Sequence, residues 1–274
     1  MTSVLENSDG GLSTIYLPSN TKCDYFENKT SHFKVDLLKP IPIKAGSKIA
    51  LSEIIYPNSI MNVYESMCQI SLRRLDNQIN PTTVETIPEK NYRSAEQLIR
   101  ALKTVIKNHR MKSVVRLNKD TSLCEIKMEP GETMQIHRKL ANILGFLETE
   151  EFTSTGITDK PELTNIAHVA KDTSLYRAQV VPDTTLLTFS LYIYSNLIEN
   201  SHVGDSNVPI LGIIHCDTDL KTRYTHRTVP ILNFVPVIGN VLSHIEIKIT
   251  DTTGDLIHFR FGKVIIKLIL SQPS

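Results

Sequence analysis

Of the side chains able to do chemistry in this 274-residue chain, nine histidines and four cysteines come first. A strand scaffold that holds a metal offers histidines two apart plus a carboxylate, because alternate strand residues point to the same face. No two of these histidines stand two apart. His215 and Cys216 adjoin within an apolar run, so they point to opposite faces of a strand and do not readily share an ion. Cys23, Cys68, Cys124 and Cys216 form no Cys-x-x-Cys pair and read as buried free thiols rather than a zinc site or a disulfide frame. Nucleophilic chemistry has no better basis. Gly-x-Ser-x-Gly is absent, Ser195, His202 and Asp205 are neighbours in sequence alone, and there is no glycine-rich phosphate loop. His202 sits where a protonation switch would be conceivable, yet a loop histidine is ordinarily just solvated. The expectation is a protein that is no enzyme and carries no metal or cofactor.

The strongest electrostatic feature is the stretch from Glu89 to Arg116, where eight basic residues face only Glu89 and Glu96. Ser94 and Gln97 form a capping box ahead of Leu98, Ile99, Leu102, Val105 and Ile106, which recur at helical spacing up to about His109. Arg100, Lys103 and Lys107 share one face of that helix and form a candidate basic contact face. It suits an acidic neighbour or packaged DNA. The plainer reading is a solvated face, since aromatic residues able to stack on bases are nearly absent from the segment.

The elements that must position these residues are mostly strands. Thirty basic and 29 acidic side chains leave a net charge of +1, which argues against a protein built wholly around nucleic acid or an anionic membrane. No apolar run reaches the roughly 20 residues of a membrane span. The N-terminus has no basic segment followed by an apolar one, so the protein is expected to be made inside the cell and not secreted. The match of Asn28-Lys29-Thr30 to the glycosylation pattern is then a coincidence.

Residues 1–14 are polar, contain Gly10-Gly11 and read as a flexible N-terminal arm; residues 15–274 read as one domain. Strand candidates are Phe33 to Leu38, Lys48 to Tyr56, Cys68 to Leu75 and Thr82 to Ile87, with Pro40 and Pro42 marking an edge or a bend between sheets. After the basic helix come short strands at Ser113 to Leu117 and Leu123 to Met128, then a second helix from Met134 to Leu144 stopped by Gly145. Residues 76–146 form an α+β elaboration. The segment 148–165 is polar and turn-rich and is expected to be an exposed loop.

Later strands are expected at Leu186 to Tyr194, Val208 to Cys216, Arg223 to Leu232, His244 to Thr250, Leu256 to Phe261 and Lys263 to Leu270. Leu187, Phe189, Leu191 and Ile193 alternate with polar or aromatic residues, as in a strand with one face on a core, whereas Val208 to Ile214 is nearly all apolar, as in a strand covered on both sides. Asp251 to Asp255 is a hairpin signal between two of these strands. Strands at both ends around a helical interlude point to a mainly β protein, a single jelly-roll β-sandwich with an inserted α+β elaboration containing two helices.

The stretch Tyr194-Ser195-Asn196-Leu197-Ile198-Glu199, then Val203-Gly204-Asp205 and Pro209-Ile210-Leu211, resembles the signature of penton-like minor capsid proteins of Polinton/Maverick elements and their adintovirus relatives. Leu17-Pro18-Ser19-Asn20, Ala50-Leu51-Ser52-Glu53-Ile54-Ile55-Tyr56-Pro57, Leu144-Gly145-Phe146 and the closing Asp251, Gly254 and Phe259 resemble further motifs of the same family. The sequence departs from the pattern at Lys90-Asn91, where a glycine is usual, and at Gly212, where arginine is frequent.

The resemblance implies a single jelly-roll penton subunit that assembles as a homopentamer at the icosahedral vertices of a virion, beside a double jelly-roll major capsid protein, without enzymatic activity. Asn196, Glu199, Gly204 and Asp205 are the expected structural and assembly signature. Gly204 suits a positive φ, and Asp205 either caps its own loop or pairs with a neighbouring subunit. The alternative is a receptor- or glycan-binding jelly-roll module without an assembly role. That reading wants a cluster of exposed aromatic residues, and the chain has no Trp and only 17 Phe plus Tyr, spread along its length.

Overall fold

The computed structural model describes residues 4–6, 11–74, 82–147, 151–153, 168–170, 173–186, 189–216 and 222–273. The chain divides into two compact units, one of Met1–Ile60 with Leu187–Ser274 and one of Met61–Leu186. Both termini thus belong to the first unit, and the second is inserted in its sequence.

The first unit opens with β1 (Val4–Glu6), β2 (Leu12–Pro18), β3 (His32–Pro42) and β4 (Lys48–Pro57). Alternate residues go inward: Ile15 and Leu17 from β2, then Phe33, Val35 and Leu37 from β3. On β4 the inward set changes phase, from Ile49 and Leu51 to Ile54 and Tyr56, because the register slips by one opposite Lys267 and Leu268. Ser52 is the extra residue of that bulge, which re-aims the side chains beyond it.

The inserted unit contains β5 (Gln69–Arg74), β6 (Thr83–Thr86), α1 (Ala95–Asn108), β7 (Val114–Leu117), β8 (Cys124–Met128), β9 (Glu132–Ile136), α2 (Arg138–Ile143), β10 (Glu151–Thr153), β11 (His168–Ala170) and β12 (Thr173–Arg177). Its strands form two antiparallel sheets, in the orders β10-β9-β5-β6 and β11-β12-β8-β7. The N-cap of α1 is as expected in part: Ser94 Oγ accepts from the Gln97 N–H at 3.4 Å, while Gln97 Oε1 accepts from Arg93 N and not from Ser94.

The second helix is shorter than the sequence suggests. Met134 to Ile136 belong to β9, where Met134 and Ile136 are buried opposite Leu72 and Ile70 and Gln135 points out. Period-two burial there overrides the helical spacing, and α2 starts only after His137, whose Nδ1 accepts from Lys139 N. It ends as expected. Gly145 has φ +89°, its N–H donates to the Asn142 carbonyl, and Phe146 N–H donates to Ala141, the pattern of a Schellman stop. Part of the expected loop 148–165 is strand, since Glu151–Thr153 pairs with β9; residues 148–150 and 154–165 lie outside the described residues.

The chain returns to the first unit with β13 (Ser190–Ser195), β14 (Ser201–Val203), β15 (Ser206–Val208), β16 (Ile210–His215), β17 (Tyr224–Thr228), β18 (Val235–Pro236), β19 (Val241–Thr250) and β20 (Ile265–Ser271). One sheet has the order β1-β2-β20-β4-β17, with β18 on the same β4 flank as β17, and the other the order β16-β13-β19-β3. Counting only the long strands β2, β3, β4, β13, β16, β17, β19 and β20 as first to eighth, the sheets run 1-8-3-6 and 2-7-4-5. That interleaving, all antiparallel, is a jelly roll. Inward residues of both sheets make one core, with Ile266, Leu268 and Leu270 of β20 meeting the inner sets of β13 and β19.

β3 runs past the expected end at Leu38 through Pro40 and Pro42; of the edge or bend expected at these prolines it is the edge that is found, since β3 is the outer strand of its sheet and their missing N–H groups have no partner to fail. Other strand expectations differ from the structure. The run Val208 to Cys216 breaks at Pro209, which has no N–H, and β16 is covered on one face only: Leu211 and Ile214 are buried while Ile213 is 45% exposed. Phe189 precedes β13 and is 56% exposed, its ring tilted against His215 at 5.2 Å, so the inward set is Leu191 and Ile193; Leu187 lies outside the described residues. The strand expected to reach Leu232 stops at Thr228. Leu256 to Phe261 forms only isolated bridges, because the Asp251 carboxylate accepts from the N–H groups of Thr253 and Asp255 and turns the chain before a second strand can pair.

Candidate assembly surface

Asn196, Glu199, Gly204 and Asp205 lie in the connection between β13 and β16. The two strands pair antiparallel with a bulge after Ile193, and the chain between them forms a smaller hairpin, β14–β15, in the register Ser201↔Val208 to Val203↔Ser206. Gly204 and Asp205 are therefore the two turn residues. Gly204 has φ +61° and Asp205 is not among the positive-φ residues, which defines a type II′ turn, the geometry that matches strand twist and needs glycine first. Nothing lies within 4 Å of a Cβ built on Gly204, so the requirement is conformational and not steric. Asp205 Oδ1 accepts from the Ser206 hydroxyl at 3.2 Å, a contact within its own turn.

Asn196 and Glu199 stand at the root of this connection. Asn196 Oδ1 accepts from the Glu246 N–H at 2.9 Å and so ties the end of β13 to β19. Glu246 in turn meets His32 Nε2 at 2.8 Å across the β3–β19 pair. Glu199 is exposed; its N–H donates to the Pro236 carbonyl, and its carboxylate has no partner among the described residues. Of the four, the Asn196 side chain braces the sheet and Gly204-Asp205 make the turn, while Glu199 is held through its main chain alone.

Beside the hairpin lies a groove of about 450 Å³ lined by Leu51, Val203, Ile210, Leu211, Ile214 and Val229, together with His202. Its walls come from distant parts of the chain, so no local pattern announces it. Gly212 belongs to the same wall, and a Cβ there would come within 3.1 Å of Leu51 Cδ2. A larger residue at this position has to displace the Leu51 side chain.

Arg100, Lys103 and Lys107 are exposed along α1 in the inserted unit, as expected from the helical spacing. Lys103 and Lys107 further line a groove of about 410 Å³ with Arg110 and Lys112, which the sequence shows as basic but does not join to them. Arg116 belongs elsewhere. With Arg177 and Asn118 it surrounds the buried carboxylate of Glu125, at 2.7, 3.2 and 2.9 Å.

Among the described residues no group of three His, Cys, Asp or Glu side chains is placed to hold a metal ion. Ser195 Oγ accepts from Leu197 N–H and Asp205 Oδ1 from the Ser206 hydroxyl, and no hydrogen bond joins either to His202 among the described residues. Ser190 Oγ and His215 Nδ1 meet at 2.9 Å, yet they are opposed residues of β13 and β16, and no carboxylate joins them among the described residues. Cys68 and Cys124 are buried, and burial raises their thiols to about 11 and about 12; Cys23 and Cys216 are half-buried, so the expectation of four buried thiols holds for two. The Asn28 carboxamide is occupied, donating to the carbonyls of Thr21 and Lys34 and accepting from Lys34 N. No helix among the described residues is long and apolar enough to cross a membrane.

No protein-family model matches the chain, and no curated protein does. Among solved structures, the chain is similar to the mavirus penton protein, with 10% identity, a TM-score of 0.41, and coverage of 94% of this chain and 98% of the other.

Proposed function

We propose that this chain is a structural virion protein, a penton subunit that closes into a homopentamer at icosahedral vertices beside a double jelly-roll major capsid protein. The observation that carries the reading is where the resembling stretch lies: Val203-Gly204-Asp205 form the tip of an exposed hairpin between β13 and the outer strand β16 of a jelly roll, with Asn196 and Glu199 at its root. A closed ring needs two different patches on each copy. The first unit offers outer strands β16 and β3, whose far edges have no strand partner among the described residues, and exposed apolar side chains such as Leu38, Ile231, Val241 and Phe189. Covering such edges in an assembly removes an aggregation hazard. In this reading the Gly204-Asp205 turn and Glu199 contact the neighbouring copy, while Asn196 holds the root of the hairpin in place.

Light scattering on the purified chain tests this. A species five times the 30.9 kDa chain mass, alone or on mixing with the major capsid protein, is the expected result. A strict monomer at high concentration that also ignores the major capsid protein would count decisively against it.

A further inference from the structure

The basic groove of the inserted unit has properties that the penton reading neither uses nor explains. α1 ends in a Schellman stop: Arg110 N–H donates to the Lys107 carbonyl at 2.9 Å and Met111 N–H to Ile106 at 3.1 Å. The residue in the left-handed position of such a stop is ordinarily glycine, which has no Cβ to clash. Here it is Arg110, with φ +56°. Its carbonyl accepts from Arg74 Nη1 at 3.1 Å, which brings another guanidinium to the strained residue.

Lys103, Lys107, Arg110 and Lys112 surround the groove, and their side chains have no acidic partner among the described residues. The nearby carboxylates are engaged elsewhere. Glu132 is buried and accepts from Lys112 N, Ser113 N and Ser113 Oγ, and Glu85 pairs with His109 at 2.8 Å. Lys107 also profits from the negative end of the α1 dipole, which accounts for one cation there but not for four.

The floor is apolar, made of Ile106, Met111 and the 42% exposed Val114, and no aromatic side chain lines the groove. A single nucleic acid strand uses cations and aromatic faces, and a duplex uses phosphate-to-cation contacts that leave an apolar floor uncovered. Cations over an apolar floor complement a chain that alternates carboxylates with aliphatic side chains. We propose that this groove docks an acidic, aliphatic peptide segment of a partner protein, its carboxylates on Lys103, Lys107, Arg110 and Lys112 and its apolar side chains over Ile106, Met111 and Val114. The proposal is independent of the pentamer, which concerns the other unit.

Fluorescence anisotropy with the full chain tests it, using a labelled short peptide that alternates glutamate and valine, an equally long run of glutamate alone, and an oligonucleotide duplex. The alternating peptide should bind about tenfold more tightly than either. Arg110→Gly keeps the left-handed backbone and removes the guanidinium, so it should weaken binding several-fold while raising the unfolding midpoint, a combination that misfolding cannot produce. Lys103→Glu with Lys107→Glu should weaken it by at least about tenfold, and Lys119→Glu, outside the groove, should leave it unchanged. No measurable binding of the alternating peptide, equal binding of both peptides, tighter binding of the duplex, or indifference to the groove substitutions each overturns the proposal.

Discussion

The carboxamide of Asn62 grips the main chain of Tyr92 at both polar groups: Oδ1 accepts from the Tyr92 N–H at 2.8 Å and Nδ2 donates to the Tyr92 carbonyl at 2.9 Å. Its second N–H donates to the Thr184 carbonyl at 2.7 Å, so one buried side chain joins three distant segments of the inserted unit. The Tyr92 hydroxyl is itself held, donating to the Pro88 carbonyl at 2.9 Å.

Removing that carboxamide leaves buried main-chain groups without partners, which costs more than the bonds themselves contribute. Asn62→Ala should lower the unfolding free energy by about 3 kcal/mol. Asn62→Asp, which sets a carboxylate against two carbonyls, should be at least as damaging. Urea titration checks both, and an aspartate variant as stable as the parent would refute the arrangement.

Gly145 combines a positive φ with a close approach: a Cβ there would come within 2.0 Å of the Val180 carbonyl oxygen. The Gly145 carbonyl also accepts from Gln179 N at 2.9 Å, so the backbone cannot simply move away. Gly145→Ala should cost on the order of 3 kcal/mol or more, read as a large drop in the thermal unfolding midpoint.

Gly204 offers the contrasting case, a positive φ in open space. Gly204→Ala should open only the β14–β15 hairpin, by about 1–2 kcal/mol of local strain. Hydrogen exchange should therefore speed up about tenfold at residues 201–208 and stay unchanged in β13 and β19.

Glu125 is nearly inaccessible, and its carboxyl is held below the usual range by the Asn118 amide first and then by Arg116 and Arg177, against the opposing effect of burial. A depressed folded pKa means stability that is present above the ordinary value of 4.5 and is lost as pH falls through the lower folded value. Glu125→Gln should lose about 2 kcal/mol at neutral pH and show a flatter stability profile below pH 4.5. Lys267, raised by its 2.5 Å contact with Glu53, has the opposite sign, with stability present below 10.5 and lost as pH rises through the higher folded value.

Much of the jelly roll was legible because burial on one face writes itself into alternation: Phe33, Val35 and Leu37, or Ile266, Leu268 and Leu270, declare both strand and inward face. The same rule misled where the partner sheet was unknown. Met134 and Ile136 sit in a helix-like sequence and become strand because β5 is there to pair with them. Val208 to Ile214 looks fully buried by composition, yet a sheet of a two-sheet sandwich is covered on its inner face alone, and Ile213 is left exposed.

The signature residues divide in the same way. A glycine before Asp205 already implies a turn, and α1 with its basic side chains follows from capping and period alone. By itself the sequence determined the strand content, the first helix and the absence of paired histidines, all set by neighbours within a few residues. Only the tertiary structure decided the interleaved strand order, the bond from Asn196 to Glu246 fifty residues away, and the joining of Lys103 and Lys107 to Arg110 and Lys112 around one groove. Those depend on which distant backbone arrives alongside, and that is fixed by packing and register rather than by any local pattern.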